Sequence, residues 1–168
     1  MSWKDFHQRR ETADAVLRRA ARDPQGPLPF AEVPGAREVF GSEEQLLLAL
    51  QYRWGQVLGG HLRVEFEDEP DDHVDAVTRA WNRAARKHPV LRAVLDAHGD
   101  RYPSLRQVRE AEQRSLAVAA GLAEPGEPIE EITKVGAAFS ALLRHGPGLP
   151  APRRNPLGQL LRMLAPSA

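Results

Sequence analysis

Apolar residues recur every three or four positions along most of this chain, and each such run is bounded by a start or stop signal. Phe6, Ala13, Val16, Leu17 and Ala20 share one side of a helix reaching about Asp23, with Ser2 placed to cap it and Asp5 in the reciprocal position. Residues 24 to 41 break the pattern. Pro24, Pro27, Pro29 and Pro34, with Gly26, Gly35 and Gly41, predict an extended strip draped over the helices and pinned by Phe30, Val33, Val39 and Phe40.

The stretch FGSEEQLLLALQYRW, residues 40 to 54, restarts the periodicity. Ser42 followed by Gln45 is a capping box, in which side chains satisfy backbone donors that a first helical turn leaves unpaired. Leu46, Leu47, Leu50, Trp54, Val57, Leu58, His61 and Val64 then trace one helix face. Gly59 and Gly60 each cost about 1 kcal/mol relative to alanine inside a helix and point to a kink, a close crossing or an end. The alternation of Leu62, Val64 and Phe66 leaves a short strand after them as a second reading.

Pro70 suits the first turn of a third helix, with Val74, Val77, Trp81, Ala84, Ala85 and His88 as its inner stripe. A fourth runs from Pro89 or Val90 through Leu91, Val94, Leu95 and His98 to Gly99. Ser104 and Gln107 repeat the capping-box spacing before a fifth helix that buries Leu105, Val108, Glu112, Leu116 and Ala119 and stops at Gly121. Ile129, Ile132, Val135, Phe139, Leu142 and Leu143 define a sixth, in which Gly136 and Ala137 permit close backbone approach. The expected fold is therefore all-α, a single-domain bundle of about six helices over residues 1 to 145. Residues 146 to 168 form a Pro/Gly linker and a short amphipathic helix carrying Leu157, Leu160, Leu161 and Leu164. So short a helix is marginal alone and is ordered by docking: on its own bundle, in a partner's groove, or on an anionic membrane aided by Arg153, Arg154 and Arg162.

Composition narrows the function. The 168 residues suffice for one continuous core. Lys plus Arg and Asp plus Glu both number 23, so no net positive field exists to hold a polyanion and no nucleic-acid partner is expected. There is no cysteine, which removes disulfides, thiolate metal sites and a thiol nucleophile together. The longest purely apolar run, Leu46 to Leu50, is too short to span a bilayer, and the chain reads as cytoplasmic.

No phosphate loop, paired-histidine zinc motif, nucleophile elbow or calcium loop occurs, so no enzyme, catalytic residue or cofactor is expected. His61, His88, His98 and Glu112 nevertheless fall on inner stripes. A buried carboxylate needs a partner, because an isolated ion in apolar surroundings neutralises or destabilises the fold. Two arrangements satisfy this. In one, these groups line a pocket walled by Trp54, Trp81 and Tyr102 that holds a small apolar ligand or an imidazole-bound metal. In the other, each histidine bonds a carbonyl at a helix end and Glu112 pairs with Arg109 or faces solvent. His7 with Glu11 and His61 with Glu65 share helix faces, but the chain has no Glu-x-x-His, which weakens a metal- or haem-binding bundle as an alternative; no metal site is assigned. The acidic run at residues 65 to 72 reads as a solvated connection or a magnet for cations or a basic partner.

The segment RRETADAVLRRAARDPQG resembles the first helix of TetR-type regulators, and VFGSEEQLLLALQYRW resembles the end of their DNA-reading head running into the connecting helix. AWNRAARKHPVLRAVLDAH and the later helices resemble the ligand-binding and dimerisation half of that family. Between Gly26 and Phe40, where the family has its recognition helix, this chain has a proline-rich strip, and Glu43 stands where the family usually has a lysine beside the phosphate backbone. The resemblance implies a sensor or dimerisation domain without its DNA reader. The expected function is a non-enzymatic regulatory or protein-interaction module, homodimeric through the fifth and sixth helices around Gly136 and Phe139, with a further protein partner at the C-terminal helix. A small-molecule sensor is the alternative.

Overall fold

The computed structural model describes residues 3–67 and 69–146. Among them are seven α-helices and no strand: α1 (Trp3–Ala20), α2 (Ala36–Phe40), α3 (Glu43–Phe66), α4 (His73–Lys87), α5 (Pro89–His98), α6 (Pro103–Ala119) and α7 (Ile129–His145). The Ser2 cap and the segment with Leu157, Leu160, Leu161 and Leu164 lie outside the described residues.

The helices form a single-domain bundle around α3, which packs on α2, α4, α5 and α6. Leu46, Leu47, Leu50, Trp54 and Leu58 are buried along it, at the spacing the sequence displays. Its start carries the Ser42 half of the expected capping box, in which the hydroxyl accepts a hydrogen bond from the Gln45 N–H at 3.2 Å. Its course differs from expectation at Gly59 and Gly60. The helix runs unbroken to Phe66 with no strand after the glycines, and no element crosses them closely, since a side chain at either would meet nothing within 4 Å.

Three further expectations are corrected. The proline strip is not extended throughout, because Gly35 at φ 80 turns the chain into α2, which buries Ala36 and Phe40. Pro70 precedes the third predicted helix instead of opening it; the cap is Asp72, whose carboxylate accepts from the Asp75 N–H at 3.0 Å. Ser104 does not cap α6 either. Tyr102 occupies that position, and the Ser104 hydroxyl donates across the bundle to Glu44.

α6 and α7 pair closely. Gly136 makes this possible, since a Cβ there would lie 2.5 Å from the Gln113 carbonyl oxygen. Leu105, Leu116, Ile132, Phe139 and Leu143 are buried as their stripes predict, but the stripes differ at their margins. Val108, Ile129 and Leu142 face solvent, while Gln113, Ala117 and Ser140 are buried. α1 packs on α2 and α5 but makes little contact with α3, so a trough opens between α1 and α3.

Candidate functional site: a closed polar knot and an open trough

At the centre of the bundle α3, α4, α5, α6 and α7 bring polar groups together. Trp54 and Trp81 meet edge to face with centroids 5.1 Å apart. The Arg92 guanidinium covers both rings, 4.7 Å from Trp54 and 5.3 Å from Trp81, while bonding Asp96 through two nitrogens at 3.2 and 2.9 Å. Arg144 reaches the same carboxylate from α7 at 3.8 Å.

Glu112 faces inward, as its stripe position predicts, but its partners are neither histidine nor Arg109. Its carboxylate accepts from Gln51 Nε2 at 2.7 Å and Trp54 Nε1 at 3.2 Å, and Arg109 turns away to Asp100 at 2.9 Å. Burial pushes the Glu112 carboxyl above its ordinary value of 4.5, against the downward pull of Arg92, of the bond from Trp54, of the Arg109 charge, which still acts on it from a distance, and of the bond from Gln51. The space these groups enclose, bounded also by Gln113 and Ser140, measures about 10 Å³. That is room for roughly one water molecule. No organic ligand fits between Trp54 and Trp81.

The histidines do not join this cluster. His98 is buried under the proline strip, and since a carbonyl can only accept, its Nε2–H donates to Gly26 at 3.2 Å. His88 ends α4 half-buried, and burial, aided by Arg53, Lys87 and His61, holds its imidazole below the ordinary range. His61 is half-buried on α3, and its helical neighbour Glu65 is clamped by Arg79 and Arg83 at 2.8 and 2.9 Å. Tyr102, half-buried at the start of α6, lies beside the Arg101 guanidinium. Trp54, Trp81 and Glu112 are thus brought together, while His61, His88, His98 and Tyr102 are dispersed around them. Among the described residues no group of three or more His, Asp or Glu is placed to hold a metal ion.

Gly136 and Phe139 lie on the inner side of α7, so the close approach that Gly136 permits is to α6 of the same chain. The outward side of α7 carries Ala137, Ala138, Ala141 and Leu142, the last 68% exposed.

The trough between α1 and α3 encloses about 490 Å³. Its floor is Ala13, Phe40, Ala49 and Leu50, its lips carry Phe6 and Tyr52, and Arg9, Arg10 and Arg53 rim it. Arg53 crosses to pair with Asp14, which ties α3 to α1. Arg9 covers the Phe40 ring at 4.8 Å and donates to the Val39 carbonyl at 3.1 Å. Arg10 makes no ion pair among the described residues.

Sequence reasoning missed Gln51, Arg92, Gln113 and Ser140, all buried in the knot. One signal was available, since Gln51 and Gln113 stand beside inner positions just as Glu112 does. The trough had no local signal, because it depends on how far α1 stands off α3. No family model, no curated protein and no solved structure matches the chain.

Proposed function

We propose that this chain is a non-enzymatic helical interaction module, cytoplasmic and homodimeric through the outward face of α7 with the adjoining part of α6. The observation that carries the reading is the strip Ala137, Ala138, Ala141 and Leu142, an apolar face of small residues displayed to solvent on a helix whose other side is fully packed. Small residues let two copies of one helix approach closely about a two-fold axis, and Leu142 gives each copy a side chain to bury. A substrate has nowhere to go at the centre, where the aromatic and charged groups close on a volume of about 10 Å³. That weighs against the sensor reading with a ligand among Trp54, His61, Trp81 and His88. The resemblance of the later helices to the dimerisation half of TetR-type regulators points the same way.

Light scattering during size exclusion tests the dimer. The full chain is expected at twice its monomer mass, and Leu142→Arg, a change at an exposed position, at the monomer mass with unaltered helicity. A wild-type chain that elutes as a monomer at tens of micromolar would overturn the reading.

A further inference from the structure

The trough between α1 and α3 carries a more specific assignment, which rests on the interaction-module reading. We infer that it is the docking groove for an acidic amphipathic helix of a partner protein.

Shape argues for a helix. The walls are single helix faces, Phe6, Arg9, Arg10 and Ala13 on α1 and Ala49, Tyr52, Arg53 and Gln56 on α3, both at spacings of three and four. A third helix laid between them meets ridges of the period it presents itself. Exposed rings extend the groove along α1, where Trp3 is 77% exposed and Phe6 51%, and Tyr52 on the opposite lip is 69% exposed. From Trp3 to Ala13 the apolar strip runs about 15 Å, close to three helical turns. A compact small molecule would leave much of it uncovered.

Charge argues for an acidic helix. Arginines stand on both lips, Arg9 and Arg10 on α1 and Arg53 on α3. Arg10 is uncommitted among the described residues, whereas Asp14, the acid at the groove, is already held by Arg53. Arg53 is spent on that pair, so the positive charge of the rim lies with Arg9 and Arg10 on the α1 lip, where carboxylates beside a leucine stripe would be drawn and lysines repelled. The same rim disfavours the chain's own residues 153 to 164, whose leucines are accompanied by Arg153, Arg154 and Arg162 and by no acid.

The test is fluorescence anisotropy with a stapled helical peptide of about twelve residues bearing a leucine stripe, made with Glu, Gln or Lys at every flanking position, titrated with the full chain. The Glu peptide is expected to bind about tenfold tighter than the Lys peptide, with Gln between and the spread narrowing at high salt. Arg10→Glu should abolish the order, since it brings the groove's net charge to zero, and Tyr52→Ala should weaken all three; both positions are exposed, so the fold survives. Equal binding of the three peptides by wild type, or an order unchanged by Arg10→Glu, overturns the assignment. So does binding of the Glu peptide only after Leu160→Glu with Leu161→Glu, which would make the chain's own tail the occupant. Uptake of hexadecanoate with no peptide bound would overturn it in favour of a free anionic amphiphile. A dimer that ignores every peptide sinks the groove alone, while a monomer that binds them as expected sinks only the dimer.

Discussion

Arg92 illustrates how one residue serves three neighbours. Its guanidinium is the cation for two tryptophan faces, the partner of Asp96 and the charge that moderates Glu112. Arg92→Ala removes all three roles and leaves Trp54, Trp81 and Glu112 poorly covered, so it should cost about 3 kcal/mol, read by urea unfolding. A loss below about 1 kcal/mol would mean that Arg92 merely covers the rings. Glu112 makes a prediction with a definite sign. Its folded pKa is raised, so its contribution is fully present below the unfolded value of 4.5 and is lost as pH rises through the higher folded value. His88, with a lowered pKa, acts in the opposite sense: its contribution is present above 6.5 and lost as pH falls through its folded value. The informative quantity is therefore the difference between wild type and Glu112→Gln. Wild type should gain stability relative to the variant as pH falls through the raised folded value toward 4.5, and a flat difference would argue against the buried carboxyl. The inward position of Glu112 was legible from its helix stripe. Its partners were not, since Gln51 and Trp54 lie far away in sequence and are met only when α3 crosses α6.

Glycines separate local preference from packing at the scale of the element. Alanine is favoured over glycine in a helix by about 1 kcal/mol, so Gly59→Ala and Gly60→Ala, with nothing within 4 Å of the added carbon, should each stabilise the protein by about that amount. Gly136→Ala should do the reverse. The same helical gain is opposed by a carbon 2.5 Å from the Gln113 carbonyl oxygen, which forces α7 away from α6 and should give a net loss of about 1–2 kcal/mol in thermal or chemical unfolding. Helix positions were largely legible, because period and capping are local: Ser42 announces α3 and Gly99 follows α5. α2 was hidden by its five-residue length, too short to show a period, and by the prolines before it. Ser104 shows the limit of the capping signal. A Ser-x-x-Gln spacing shows that a cap is available, but Pro103 starts the helix two residues earlier than a Ser104 cap would and frees the hydroxyl for Glu44.

In the whole molecule, α3 is the wall shared by the knot and the trough. One side holds the polar knot through Gln51 and Trp54, and another forms the trough through Ala49, Tyr52 and Arg53. α1, by contrast, leans on α2 and α5 and is fastened to α3 by the Asp14–Arg53 pair. The two sides of the bundle are therefore unequal in depth of attachment. Amide protons from Leu46 to Leu58 should exchange with solvent only when the entire chain unfolds, so their protection measures global stability, while those of the first turns of α1 should be released in a smaller, earlier opening that widens the trough and leaves the tryptophan pair dry.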